Sequence, residues 1–179
     1  MTEYPQRKSP RLQDYDYTQA GAYFVTICTH DRKRIFGHID DGEVVCNQMG
    51  DIVNEQWIQT GVLRDYVELD MFVVMPNHVH GILMIVESEE DRRGMMHHAP
   101  TTRKREFSKP IPRSLSSIIG TFKAAVTRHI RRLPNPPDHP IWQRNFHDHI
   151  IRNPDDLHRL REYVLYNPAR WEADTFYET

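Results

Sequence analysis

The stretch 67–86 reads VELDMFVVMPNHVHGILMIV, and its shape decides the fold. Two runs of β-branched and large apolar residues, 67–75 and 78–86, are separated only by Pro76 and Asn77. So short a break between strand-forming runs predicts neighbouring antiparallel strands. Upstream, AYFVTICT at 22–29 has the same character and predicts another buried strand. HDRKRIFG then reads as a charged turn, and Asp41-Gly42 as a second turn leading into the short strand EVVC. From Asn47 to Tyr66, the apolar residues Ile52, Val53, Trp57, Ile58 and Val62 fall at helical spacing.

Downstream of the hairpin, residues 87–112 carry charges together with Gly94, Pro100, Pro110 and Pro112 and lack periodicity. They predict a mobile excursion rather than a domain boundary, and the His97-His98 pair within them reads as solvated. From Ser114 to Leu133 an apolar stripe of Leu115, Ile118, Ile119, Phe122, Ala125, Val126 and Ile130 predicts a helix, with Arg113, Lys123, Arg128, Arg131 and Arg132 largely off the stripe. LPNPPDHP ends it, because proline lacks the amide donor and disfavours a helical residue before it. IWQRNFHDHII predicts a further strand. Asn153 then serves as N-cap, with Pro154 at the first helical position and Asp155 and Asp156 at the positive end of a last helix that runs to Pro168. This order predicts an α+β fold, a mainly antiparallel sheet covered by helices, as one domain over 1–179 with a flexible basic arm at 1–13.

Composition sets the outer limits. Among 179 residues, 39% are hydrophobic and 27% charged, with a mean hydropathy of −0.68, so the chain is polar but retains enough apolar content for a core. No run approaches the ~18 apolar residues of a membrane span, and the start MTEYPQRKSPRL has no apolar signal region, which predicts a cytoplasmic protein without membrane partners. The two cysteines, Cys28 and Cys46, read as reduced core residues and supply no zinc site. The net charge of −2 hides a polarity. Residues 40–90 hold about eleven acidic side chains against Arg64 alone, whereas 91–144 hold about twelve basic against three acidic. A local cationic excess of this size points to a polyanionic partner.

Two small constellations could carry chemistry. Strand alternation sends His78 and His80 to one face, about 7 Å apart along the backbone, where both imidazoles can converge on one metal ion or simply form a polar face. Asn77 stands where it could hydrogen-bond an imidazole from behind. Tyr163 and Asn167 lie one turn apart on the last helix, so a carboxamide oxygen, a hard ligand, and a phenol share a face. Packing and helix termination explain these two equally well when taken alone.

The segments MPNHVHGILMI, YVLYNPARW and WQRNFHDHIIRN together closely resemble the REP-associated tyrosine transposases of the wider Y1 single-strand transposase family, and DYDYTQAGAYFVTICT and TFKAAVTRHI resemble the same family. The likeness covers roughly residues 11–171. It implies a ferredoxin-like or RRM-like sandwich and a metal-dependent endonuclease and strand transferase acting on single-stranded DNA beside a hairpin of the repetitive extragenic palindrome kind. By the same resemblance, Tyr163 is the nucleophile that forms a 5′-phosphotyrosine, and His78 and His80 hold Mg²⁺ or Mn²⁺. Asn167 stands at the third ligand position, where many relatives carry the longer glutamine. Tyr166 is rotated about 300° from Tyr163 on an ideal helix and is the obvious decoy.

The DNA grip is expected from Arg113, Lys123, Arg128, Arg131, Arg132 and Arg144, with Trp142 or Phe146 stacking on an unpaired base. His147 and His149 are the candidate general bases. A monomer or a homodimer is compatible with the resemblance. The competing readings are a non-cleaving DNA-binding regulator of the same fold and an unrelated hydrolase that uses a His-x-His metal without a covalent intermediate.

Overall fold

A computed structural model describes residues 15–87 and 111–177. Its strands are β1 (Gly21–Cys28), β2 (Gly37–Asp40), β3 (Glu43–Cys46), β4 (Val67–Met75), β5 (His78–Ile85) and β6 (His147–Ile151). Its helices are α1 (Gln48–Val62), α2 (Leu115–Ile130) and α3 (Pro154–Tyr166), with 3₁₀ turns at His30–Arg32 and Pro168–Ala173. The main sheet has the order β4-β5-β1-β6, and each neighbouring pair is antiparallel. This is the expected α+β architecture.

Strand alternation divides the sheet chemically. Tyr23, Val25 and Ile27 of β1 and Val79, Leu83 and Ile85 of β5 face the large core, which α1 and α2 cover with Val53, Trp57, Ile118, Phe122 and Val126. Gly81 is needed on this face, because a Cβ there would stand 2.3 Å from the Trp57 ring. The opposite face is thinly covered by α3, whose Leu160 and Val164 pack on Ile82 with Phe24, Met71 and Val73 around them. His78, His80 and Thr26 lie on this second face, so the sheet's polar positions open beside α3.

Each helix begins as its residues require. The side chains of Asn47, Ser114 and Asn153 accept backbone N–H groups of the first turn, and Pro154 occupies a position whose N–H needs no partner. In the β2–β3 hairpin, Asp41 and Gly42 both take positive φ, at 48° and 77°, the geometry that suits a two-residue turn between twisted strands.

Several boundaries differ from the sequence reading. The run HDRKRIFG is a 3₁₀ turn followed by the start of a strand, because Gly37 to Asp40 pair with Cys46 to Glu43. The first helix ends at Val62 rather than at Tyr66, while β4 begins at Val67 as expected. Residues 141–146 are not strand; Trp142 makes only an isolated bridge to Thr29 and pairing resumes at His147. The arm at 1–13, most of the 87–112 excursion and the His97-His98 pair lie outside the described residues.

Candidate functional site

The two-residue turn at Pro76 and Asn77 delivers His78 and His80 to the start of β5, both buried and facing α3. Their rings stand 4.3 Å apart between centroids. His80 Nε2 lies 3.3 Å from the Tyr163 hydroxyl, and Thr26 Oγ1 lies 2.9 Å from His80 Nδ1. Phe24 stacks on His80 and meets Tyr163 edge-on, which closes the apolar side of the site. A sequence separation of 83 residues is therefore bridged because β5 and α3 pack on one sheet face.

The third element of the site is the tail after α3. The 3₁₀ turn at Pro168–Ala173 buries Trp171 near His78 and turns the chain so that Asp174 joins the two histidines. One ligand atom from each of His78, His80 and Asp174 falls within 4.8 Å of the others. Asn167 is buried, and its Nδ2 donates to Asp174 Oδ2 at 2.5 Å. Phe176 packs over both imidazoles, at 4.9 Å and 5.8 Å, and Arg32 lies over the outer face of the Phe176 ring.

The electrostatics suit a cation. Burial pulls His78 down to about 4, against the opposing pull of the Asp174 carboxylate, and burial with the neighbouring His78 pulls His80 well below its ordinary value. Both rings are thus neutral at neutral pH, as metal ligation requires. His78 Nε2 and Asn167 Oδ1 are buried with no hydrogen-bond partner among the described residues. An orphaned imidazole lone pair, an orphaned carboxamide oxygen and a carboxylate form a nitrogen and oxygen donor set that fits a divalent ion such as Mg²⁺ or Mn²⁺. Tyr163 is pushed up to about 12, first by burial and then by the Asp174 charge, so its hydroxyl is protonated at rest.

Tyr166 sits apart. It is 49% exposed, with the Arg170 guanidinium over its ring. Of the candidate bases, His149 Nε2 is engaged with Asp156 Oδ2 at 2.7 Å, which ties the edge strand to the first turn of α3. His147 is exposed, with its ring 6.4 Å from Phe176.

The residues expected to grip DNA separate into two groups. Arg128, Arg132 and Arg144 are exposed, and Arg128 and Arg144 line an open groove of about 570 Å³ between α2 and residues 140–144. Arg131 braces that loop by donating to the carbonyls of Pro137 and His139, and Arg113 lies over the Tyr66 ring. Trp142 and Phe146 are the rings expected to stack on an unpaired base. Both are buried in the main core, with Trp142 against Phe36 and Phe122 and its indole N–H donating to the Lys123 carbonyl, although Trp142 also lines the groove.

Lys123 is likewise a brace. Its ammonium donates to the carbonyls of Gln143, Arg144 and Asn145 at 2.5, 3.2 and 3.5 Å, and burial pulls it down to about 8. Lys123→Ala should therefore cost roughly 2 kcal/mol of folding stability in urea denaturation, the scale of lost hydrogen bonds to a charged group. The salt dependence of DNA binding should stay as in the unaltered protein. A flattened salt slope with unchanged stability would return Lys123 to the DNA contacts.

Asp174 and Phe176 were not among the residues singled out in the sequence. Their signal is weak, an acid seven positions beyond Asn167 and aromatic residues in a polar tail. No helix among the described residues is long and apolar enough to cross a membrane.

No protein-family profile matches the chain. An uncharacterized protein of Haemophilus influenzae is 35% identical over 171 residues, covering 96% of this chain and 93% of its own length. A second protein of that organism, named as a REP-associated tyrosine transposase, is 23% identical over 158 residues, covering 87% of this chain and 74% of its own. The fold is also that of a solved REP-associated tyrosine transposase bound to a REP hairpin, with a TM-score of 0.56, 22% identity, and coverage of 96% of this chain and 74% of the other.

Proposed function

We propose, for a chain that belongs to the REP-associated tyrosine transposase family, that it cuts and rejoins single-stranded DNA next to a REP-like hairpin through a covalent link to Tyr163. The observation that carries this reading is the convergence of the Tyr163 hydroxyl on His80 Nε2 at 3.3 Å, inside a cluster where His78, His80 and Asp174 can share one ion. Attack by the tyrosine oxygen forms an O–P bond and breaks the bond from phosphorus to the 3′ oxygen. The products are a 5′-phosphotyrosine and a 3′-hydroxyl, and the reverse attack by another 3′-hydroxyl reseals a strand without an external energy source.

His78, His80 and Asp174, with Asn167 Oδ1 beside them, are the groups that would hold Mg²⁺ or Mn²⁺. The bound ion would polarise a non-bridging phosphate oxygen and stabilise the charge that develops there. The remaining work belongs to the protein. Phe24 and Phe176 wall the pocket against water, and the burial that holds Tyr163 protonated strengthens every electrostatic contact within it. The helix α3 sets the attack geometry, and Arg161 fixes that helix with a bidentate contact to Asp70 of β4.

The register of the sheet supports a DNA path past the basic groove. Gln143 N donates to Cys28 O, and Cys28 pairs with His78, so the basic groove opens at the same end of the sheet as the histidines. Arg144 lines that groove just ahead of the edge strand β6, and the exposed arginines suit a phosphate backbone rather than a small molecule. Replacing Arg128, Arg132 and Arg144 together by alanine should weaken hairpin binding and flatten log K against log salt by up to about two or three units. Binding titrations at several salt concentrations measure this. An unchanged slope means that the hairpin is held elsewhere. Arg64, which ties α1 to Thr121 of α2, should leave the slope untouched when replaced.

The test of the reaction is incubation with labelled hairpin single-stranded DNA and Mn²⁺, followed by denaturing electrophoresis. A DNA-protein adduct supports strand transfer. Binding without adduct supports a non-cleaving regulator, and cleavage without adduct supports a hydrolase.

A further inference from the structure

We propose that Asn77 is a positioning residue that locks His78 into the one tautomer able to receive a metal ion, and this rests on the metal reading of the histidine pair. A neutral imidazole carries one N–H and one lone pair, and which nitrogen holds which is set by the partner of the other. Asn77 Oδ1 lies 2.7 Å from His78 Nδ1. A carboxamide oxygen only accepts, so the hydrogen resides on Nδ1 and the lone pair on Nε2. That Nε2 is buried and makes no hydrogen bond of ordinary geometry among the described residues, with the Asn167 side chain beside the ring and His80 and Asp174 completing the cluster.

The orientation of an asparagine amide follows from its partners rather than from its shape. Here two contacts agree. Nδ2 donates to the Phe176 carbonyl at 2.8 Å, whereas a flipped amide would set oxygen against that carbonyl oxygen. The backbone of Asn77 is pinned as well, because its carbonyl accepts from Thr29 N and from Thr29 Oγ1, each at 2.9 Å. A side chain whose Nδ2 is engaged by Phe176, on a backbone fixed by Thr29, is held against a flip that would offer its NH₂ to His78.

His80 is held differently. Its Nδ1 meets the Thr26 hydroxyl, which donates or accepts with equal ease, so Thr26 accommodates either tautomer. The two histidines are therefore unequal. His78 is preset with its lone pair in the cluster, and His80 remains free to exchange its hydrogen as Tyr163 or an ion demands.

The experiment uses the full chain without DNA. Long-range ¹⁵N spectra of histidine-labelled protein, without metal and near neutral pH, should show His78 protonated on Nδ1. Asn77→Asp, which still accepts from Nδ1–H, should keep that tautomer and keep or exceed the affinity for Mn²⁺ measured by electron paramagnetic resonance. Asn77→Leu should lose the tautomer preference and bind Mn²⁺ about 10–100-fold more weakly. Protonation of His78 on Nε2 in the unaltered protein, or undiminished Mn²⁺ affinity in Asn77→Leu, would overturn the proposal. Should Asn77→Leu not fold, the spectrum of the unaltered protein decides alone. If the unaltered protein binds no Mn²⁺, the metal reading fails instead, and the tautomer still judges Asn77 separately.

Discussion

Tyr163→Phe should form no covalent adduct with hairpin DNA, a loss of at least about a thousandfold, the scale on which removing a nucleophile is felt in other enzymes. Its fold and hairpin affinity should be nearly unchanged. The phenol lies 3.3 Å from His80 Nε2 and beside the Asn167 and Asp174 side chains, and its ring packs on Phe24, which phenylalanine preserves. Losing such a contact costs about 1 kcal/mol or less. Tyr166→Phe should still form adduct, because Tyr166 is half exposed and stands under Arg170. Denaturing electrophoresis of the two variants side by side checks both expectations, and an exchange of the two outcomes would falsify the assignment.

His78→Ala and His80→Ala should each abolish metal-dependent cleavage, with losses beyond the 10–100-fold typical of groups one step removed from a metal. Excess EDTA should do the same to the unaltered protein, and added Mn²⁺ should restore it. Because burial pulls His78 down to about 4, protons compete with the ion at that ring only well below the ordinary histidine value of ~6.5. Asp174→Asn, which removes a negative charge while keeping the shape, should weaken Mn²⁺ binding less than either histidine variant. Full cleavage in the presence of chelator would remove the ion from the mechanism.

The β4–β5 hairpin was legible because its signals are local. Two apolar runs and a Pro-Asn break admit one arrangement, and strand alternation then puts His78 and His80 on one face without any tertiary information. The helix caps at Asn47, Ser114 and Asn153 are local in the same sense. The short strand β2 was hidden, since GHID contains glycine and charge and pairs only because Asp41 and Gly42 turn the chain back on β3. Trp142 and Lys123 misled for a related reason. An aromatic residue in a polar loop and a cation off the apolar stripe of a helix look like surface, but a long-range bridge to Thr29 draws the loop onto the core and brings its carbonyls to the lysine of α2.

Asp174 and Phe176 escaped notice because their role exists only after α3 and the following 3₁₀ turn have aimed the tail across the sheet. No periodicity marks such a residue. Asn167 was found through spacing to Tyr163, and its orphaned Oδ1 keeps it beside the donor set, while its Nδ2 serves the carboxylate that the sequence did not reveal.

The central claim, that Tyr163 carries the DNA, is tested most directly by mapping the adduct. Unaltered protein incubated with hairpin single-stranded DNA and Mn²⁺ is digested with nuclease and trypsin, and peptide 162–170, which holds both tyrosines, is sequenced by mass spectrometry. The account predicts a phosphonucleotide on Tyr163 and an unmodified Tyr166. Modification at Tyr166, at another residue, or cleaved DNA with no modified peptide at all would contradict it.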